Sequence, residues 1–588
     1  MNKSSMIKNR NVIKGLLCIC LFLLSSAVVA QEEGEDIYFN QLGFLPNVEK
    51  VASIRGVEQG DFLIRRTANN QIAFSGQLEK AAYWKSSGEK ILIADFSKLQ
   101  EEGEYYLEVP GGGKSSKFTI SKDCFKKVLK ATSKAYYYWR SAFPITKEFG
   151  GEWNRPLAHP DTVVFIHPSA ASKKRPVGTV ISAPGGWYDA GDYNKYVVNS
   201  GITCYSLMSA YEFSKQRFNS LNLNIPESND NIPDILNEVY YNLKWMMSMQ
   251  DPHDGGVYHK LTTANFAGEH MPHQVKNRKR FVVQKTTAAT LNFAAVMAMS
   301  HRVLKKDYPK FADQCLLAAE KAWTWAGRYP ETFYEQEELN KKYDPDINTG
   351  AYDNKKLKDE FAWAASELFL STKNNEYLHH AMNYYKTIHH IAVPSWGNTA
   401  MLGIYSLLNN RKNIPFSERK EFHILNRKLL KMADALLDSY LKSPNRTAFG
   451  NQEAHFKWGS NAIAANQGML LLQAWRLTGK QMYYDAAYSN LDYILGRNAT
   501  GYCFVTGFGH QNPKYPHHRI SAADGVKEPV PGLLVGGASN MKLPALQFPS
   551  KYSAKRYHDE YKCYVTNEVA INWNAPLVFL ISGLSNNF

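Results

Sequence analysis

Between residues 35 and 120, apolar, β-branched and aromatic positions come in short runs: IYFNQLGFLPN, KVASIRGV, DFLIRRTANNQIAFSG, KILIADFSKL and GEYYLEVPGGGKSSKFTI. Turn-forming groups (NN, SG, EEG, GGG) punctuate them. Short strands at this spacing predict a small all-β sandwich of immunoglobulin type. From about residue 123 the period changes from strand-like to helical. In IPDILNEVYYNLKWMMSMQ, residues Ile235, Leu236, Val239, Tyr240, Leu243 and Met246 recur at three-and-four spacing. FADQCLLAAEKAWTWAGRY, DEFAWAASELFLST, FHILNRKLLKMADALLDSYL, NAIAANQGMLLLQAWRLTG and NEVAINWNAPLVFLISGL follow the same rule. Strand signals are nearly absent there. Roughly a dozen helices separated by Gly- and Pro-rich loops predict one large all-α domain over 123–588, able to close into a ring.

The start of the chain stands apart. Lys3, Lys8, Arg10 and Lys14 precede the apolar run LLCICLFLL, and small residues (SSAVVA) follow it. This predicts a cleaved leader over 1–30, cut after Ala30, and a secreted or periplasmic protein. The apolar run is short for a membrane span, so stable membrane insertion is not expected.

The 588 residues carry a formal net charge of +15, spread without a basic-aromatic nucleic-acid motif, so no nucleic-acid partner is expected. Seven cysteines, two of them in the leader, are scattered without a CxxC pair. That pattern argues against a disulfide scaffold or a zinc cluster and for free thiols.

Three stretches carry chemistry. In GGWYDAGDYNKY (185–196), Asp189 and Asp192 lie three residues apart, with small residues between them and aromatics around them. Two carboxylates that close ionise together only if something between them, such as a water, shares the charge. A water-holding pair in an aromatic groove suits sugar hydrolysis. In GFGHQNPKYPHHRISAADG (507–525), prolines hold a loop that ends on His517, His518 and Arg519. Arg offers a planar fork of donors to hydroxyls or carboxylates. In YHDEYKCYVTNEVAINWNA (557–575), Glu568 is placed at the start of an apolar helix after the capping types Thr566 and Asn567. An apolar setting would keep that Glu protonated, as a general acid requires.

These stretches resemble glycoside hydrolase family 9. GGWYDAGDYNKYV matches the family's nucleophilic-water motif, YPHHR (515–519) its His/Arg loop, and Tyr557, Asp559, Tyr564, Glu568, Ala570, Asn574 and Ala575 its general-acid signature. The resemblance runs from about residue 35 to the end. It implies an immunoglobulin-like domain over 35–120 followed by an (α/α)6 barrel over 123–588. It also implies inverting cleavage of β-1,4-glucosidic bonds, chiefly by endo action. Asp192 would then activate water, Asp189 would help hold it, and Glu568 would protonate the leaving oxygen. His517 and Arg519 would bind sugar or steady the carboxylates. Trp396 (PSWGN), Trp458 (WGSN), Trp187 and His259 (GGVYHK) would line the cleft. Inversion needs roughly 6.5–9.5 Å between acid and base.

The resemblance implies no required cofactor. Asp359 and Glu360 resemble an acidic pair that binds calcium in some relatives, although Asn398 follows WG where others carry Asp. His159 and His167 stand without cysteines where some relatives hold zinc, so no such zinc is expected. Cys503 and Gln511 also depart from the family pattern, which bears on subsite shape. With no carbohydrate-binding module after the Glu568 helix, soluble or amorphous β-glucan is the expected partner. Exo action on cello-, xyloglucan or amino-sugar oligosaccharides, or sugar binding without catalysis, are the alternatives. The sequence sets no oligomeric state.

Overall fold

A computed structural model describes residues 36–585 except 277, 390 and 545; the leader expected over 1–30 lies outside the described residues. The sandwich is built from two antiparallel sheets. Strands β1 (Ile37–Tyr38), β2 (Val51–Ile54), β5 (Ala82–Trp84) and β6 (Glu89–Asp95) pair in the order β1-β2-β6-β5. Strands β3 (Asp61–Arg66), β4 (Ile72–Gln77), β7 (Gly103–Val109), β8 (Gly113–Lys114) and β9 (Phe118–Ile120) form the other, ordered β4-β3-β7-β8 with β9 also on β7. Strand β7 alternates as a one-sided strand must, with Tyr105, Leu107 and Val109 inward. All four residues of β2 are buried, because the β2–β6 sheet is covered on both faces. Its second face meets the helical domain: Ser53 Oγ lies 2.6 Å from Asn445 Oδ1, and Trp84 Nε1 donates to the Gly450 carbonyl at 3.1 Å.

Twelve long helices make the second domain: α1 (Lys126–Trp139), α2 (Val197–Phe213), α3 (Asp234–Ser248), α4 (Thr287–Val303), α5 (Pro309–Arg328), α6 (Lys358–Thr372), α7 (Asn375–Thr387), α8 (Ala400–Asn409), α9 (Phe422–Lys442), α10 (Ser460–Thr478), α11 (Gln481–Ile494) and α12 (Ile571–Leu584). The even-numbered helices form an inner ring, each touching the next until α12 closes on α2. The odd-numbered ones lie outside, so the arrangement is an (α/α)6 barrel. Sequence decides which is which. Helices α2, α4, α6, α10 and α12 are apolar or small on every side and buried almost throughout, as a helix between two layers must be. Helices α3, α5 and α9 bury one stripe and give charged residues to solvent.

The starts of the inner helices gather on one face. Thr399 N, before α8, donates to Asp359 at the start of α6, and Asn461 N in α10 and the Glu568 carbonyl before α12 both meet Gly536. The opposite ends are tied by Arg302–Glu367 and Glu367–Ser406.

The expectation that strands are nearly absent after 123 is corrected. A five-stranded sheet, ordered β11-β10-β14-β13-β12, is built from β10 (Val164–Ile166), β11 (Val180–Ile181), β12 (Lys195–Tyr196), β13 (Lys260–Thr262) and β14 (Arg280–Val282). Strands this short leave no periodic signal. The sheet matters because β12 joins Asp192 to α2.

Candidate active site

Gly191 is the point where the three stretches meet. Its carbonyl accepts from Arg519 N (3.1 Å) and Arg519 Nη1 (2.8 Å), and a Cβ there would run into the His517 carbonyl. Only glycine permits that approach. The Asp189 carbonyl accepts from Ile571 N at 2.9 Å, and His517 N donates to the Asn567 carbonyl at 2.7 Å. Asp189, Asp192 and Glu568 are therefore placed by main-chain bonds at the barrel face where α2 and α12 begin.

Glu568 is not at a helix start, which corrects the expectation. It sits in an extended link between a one-turn helix (Tyr564–Asn567) and α12, whose N-cap is Ala570. Asn567 does not cap that helix. Its side chain is held by Tyr557 Oη (2.6 Å), the Tyr515 carbonyl and Asp559. This pins the stretch immediately before the glutamate.

The three carboxyls hold their protons differently. Burial, then the neighbouring Asp192, pushes Asp189 up to about 8, against hydrogen bonds from Asn199 Nδ2 (2.9 and 3.1 Å) and Tyr352 Oη (2.8 Å). Burial also raises Asp192, but Arg519, the Asn194 side chain and N–H, and Arg280 pull it back. Burial raises Glu568 well above the carboxylate range, and Asp192 and Asp189 push it further. The aspartates act on Glu568 as charges rather than as hydrogen-bond partners. Of the three, Asp192 has the most cationic support and Glu568 keeps its proton best.

Behind Asp192 lies a buried ion group. Asp161 takes Lys195 Nζ at 2.7 Å and Arg280 Nε at 2.9 Å. Burial opposes its charge, yet Arg280 and Lys195 hold it down to about 2. Asn194 links this group to Asp192: its Oδ1 accepts from Arg280 Nη1 at 3.5 Å and from Thr263 N at 3.0 Å while its Nδ2 donates to Asp192.

The remaining expected site residues divide. His517 is half-buried beside Glu568; its Nδ1 faces the Tyr561 carbonyl at 2.7 Å, so that nitrogen carries the proton and Nε2 faces away. Burial pushes it down to about 4, keeping it neutral. Arg519 is a brace: Nε donates to the Ala267 carbonyl at 2.9 Å, Nη1 holds Gly191, and its charge acts on both Asp192 and Glu568. Trp458 is 43% exposed, packs on Tyr564 (5.2 Å) and hydrogen-bonds toward Glu568, so it presents a free face at the cleft. Trp396 is half-buried, edge-on to Tyr352 at 5.2 Å.

Two expectations fail. Trp187 is fully buried, its Nε1 3.3 Å from Glu238 and its ring 4.8 Å from Tyr136, because the loop needs an apolar anchor beneath it. His259 is also fully buried. Thr286 Oγ1 (2.9 Å) and the Ala351 carbonyl (2.7 Å) take its ring nitrogens, and Tyr334 stacks on it at 4.4 Å. Neither can meet a sugar.

Sequence reasoning missed Asn194, Asn199 and Tyr352. Asn194 lies within GGWYDAGDYNKY and Asn199 just after it, so both could have been found there. Tyr352 comes from a distant loop with no local signal. Phe266, 43% exposed over Arg519 (5.6 Å), is a further aromatic at the rim.

Asp359 and Glu360 are adjacent and buried, with Asp359 accepting from Thr399 N and Glu360 Oε1 taking Asn354 Nδ2. Burial, the Asp359 charge and a hydrogen bond with Asp359 raise the Glu360 carboxyl strongly. No group of three or more potential metal ligands occurs among the described residues. His167 spends both ring nitrogens on Ser169 and the Pro345 carbonyl. Four of the five thiols among the described residues are buried, and all five are free.

Comparison with known proteins agrees with this geometry. The family model for glycosyl hydrolase family 9 matches residues 125–581, and that for a cellulase N-terminal Ig-like domain matches 32–114. A xyloglucan-specific endo-beta-1,4-glucanase of Bacteroides ovatus is 43% identical over 577 residues, 97% of each chain. Endoglucanase D of Acetivibrio thermocellus is 32% identical, covering 94% of this chain and 83% of its own. A solved family 9 structure from Bacteroides ovatus superposes with a TM-score of 0.88 at 44% identity, over 94% of this chain and 99% of that one.

Proposed function

The chain belongs to glycosyl hydrolase family 9 and is an endo-β-1,4-glucanase, and on that premise we propose that it cleaves the backbone of xyloglucan with inversion. The observation that carries the chemistry is the convergence of Asp189, Asp192 and Glu568 on one face with unequal protonation. Asp192, supported by Arg519 and Arg280, is the ionised base that takes a proton from water. Asp189 holds that water, its own oxygens oriented by Asn199 and Tyr352. Glu568, kept neutral, protonates the departing glycosidic oxygen from the other side. Asp192 and Glu568 act on each other as charges, and inversion calls for a water and the scissile bond between such a base and acid.

His517 offers Nε2 to a sugar hydroxyl, and Trp458, Trp396 and Phe266 supply half-exposed rings for pyranose faces. Rings beside different parts of the carboxylate group suit a cleft that holds chain on both sides of the cut, which is endo action. The choice of xyloglucan rests on the specificity named for the Bacteroides ovatus relative.

No helix among the described residues is long and apolar enough to cross a membrane. What supports export to meet a polymer is the basic, then apolar, start over 1–30. The chemistry needs no metal. A calcium ion would sit at Asp359–Glu360, two adjacent buried carboxyls whose mutual repulsion a cation would relieve, and its role there would be structural.

The test is the purified protein on xyloglucan, carboxymethylcellulose and cellohexaose, with products sized over time. Mixed oligomers released early from xyloglucan support the reading. Turnover of the unbranched glucans alone would move the substrate to plain cellulose chains, and a single small product from the outset would mean exo action.

A further inference from the structure

We propose that a cavity beside the cleft is the subsite for a branch sugar on the glucan backbone, an inference that rests on the xyloglucan reading above. The cavity, of about 500 Å³, opens at the start of α6, between it, the segment that follows α5 and the outer helix α7. Phe333, Phe361 and Tyr384 line it with apolar surface; Glu331, Lys356 and Asn398 supply polar groups. Pyranose rings are recognised by that combination, with C–H faces on aromatic carbon and hydroxyls on polar side chains. The volume lies in the roughly 300–1,000 Å³ range of small-ligand pockets.

Two chain segments tie it to the catalytic centre. Tyr352, whose hydroxyl is 2.8 Å from Asp189, comes three residues before Lys355 in the cavity wall. Three residues of chain span at most about 11 Å. Trp396, packed against Tyr352, is followed directly by Gly397 and Asn398, which are also in the wall. The Asp359 bond to Thr399 N fixes that turn against α6. The cavity therefore adjoins the Trp396 platform but is set outward, walled partly by Tyr384 of the outer helix α7. A backbone glucose on Trp396 would continue along the cleft. A substituent on that glucose would have the cavity beside it, and an unbranched chain would leave it unused.

Gly397 supplies the test. A Cβ there meets nothing within 4 Å, and its backbone lies outside the left-handed region, so a side chain can grow into the space without strain. Wild type, Gly397→Ala, Gly397→Leu and Gly397→Phe are assayed on xyloglucan and on unbranched carboxymethylcellulose. The Phe and Leu variants are expected to lose at least about tenfold in kcat/KM on xyloglucan relative to carboxymethylcellulose, the scale at which steric exclusion discriminates substrates. Ala should leave the ratio unchanged. Retained turnover of carboxymethylcellulose certifies the fold, and Leu serves if Phe prevents folding. Xyloglucan turnover by wild type with an unchanged ratio in both larger variants would overturn the cavity assignment alone. No xyloglucan turnover by wild type would overturn the substrate reading and the cavity assignment with it.

Discussion

At the seam between sandwich and barrel, Glu49, Glu79 and Asp95 converge on one guanidinium, with Arg446 Nη1 at 3.0 Å from Glu49 and 3.3 Å from Asp95. At the cleft, Asp189, Asp192 and Glu568 converge on each other. The residue types are the same, but at the seam the acids close directly on a guanidinium, while at the cleft the acids raise one another and Arg519 and Arg280 act on them only as charges. At the seam the ion pairs tie the two domains together, although burial still raises Glu49 against the pull of Tyr440 and Arg446. At the cleft the excess is relieved by protons, held more tightly than water would allow, and a proton so held is available for transfer. Burial alone does not make a catalytic carboxylate, since it raises Glu49 as well; acids that face one another without a direct cationic partner do.

The comparison can be broken most severely at the cleft. Glu568→Gln and Asp192→Asn should each lose at least about 10²-fold in kcat on xyloglucan. Glu568→Gln should keep far more activity on an aryl cello-oligoside whose phenol leaves without protonation, whereas Asp192→Asn should not. Equal losses on both substrates would remove the distinction between acid and base.

Next in size is Tyr352→Phe, which strips one hydrogen bond from Asp189 and should cost about tenfold in kcat with little change in KM. The pH–rate profile carries the same logic. Activity should fall at low pH as Asp192 is protonated and at high pH as Glu568 ionises. Because burial and both aspartates raise Glu568, the alkaline limb should lie well above an ordinary glutamate and vanish in Glu568→Gln on the aryl substrate.

Stability separates the two regions by sign. Asp189 binds its proton more tightly folded than unfolded, so its favourable contribution is complete below about pH 4 and is lost as pH rises through about 8. Asp189→Asn should therefore raise Tm at pH 9, by about 1–2 °C, while activity falls. Arg446→Ala should do the reverse, lowering stability by about 1–3 kcal/mol in denaturant titration with kcat preserved. The smallest effect is expected from chelation: if calcium holds Asp359 and Glu360 together, removing it lowers Tm slightly and leaves the pH profile in place.

Much of this was legible in the chain. The two-domain order followed from a change of hydrophobic period near residue 123, and the carboxylates from two short motifs, with a third supplying His517 and Arg519. What was not legible depended on distance or on degree of burial. Tyr352 reaches Asp189 from a loop 163 residues away, which no spacing encodes. Trp187 and His259 have residue types suited to sugar but are sealed in the core, since a functional loop must stand on packed residues as well as expose some. The strands β10–β14 are two or three residues long, too brief for a pattern. Glu568 read as a helix start because Thr566 and Asn567 are capping types, yet Asn567 bonds to Tyr557 and Asp559 and the chain stays extended.

The most direct test of the opposed base and acid is the anomer of the first product. Wild-type enzyme acting on xyloglucan oligosaccharide is followed by proton NMR before mutarotation sets in. The account predicts that the new reducing end appears as the α-anomer and drifts to equilibrium. A β-anomer at the earliest times would mean retention, and would contradict a water activated by Asp192 opposite Glu568.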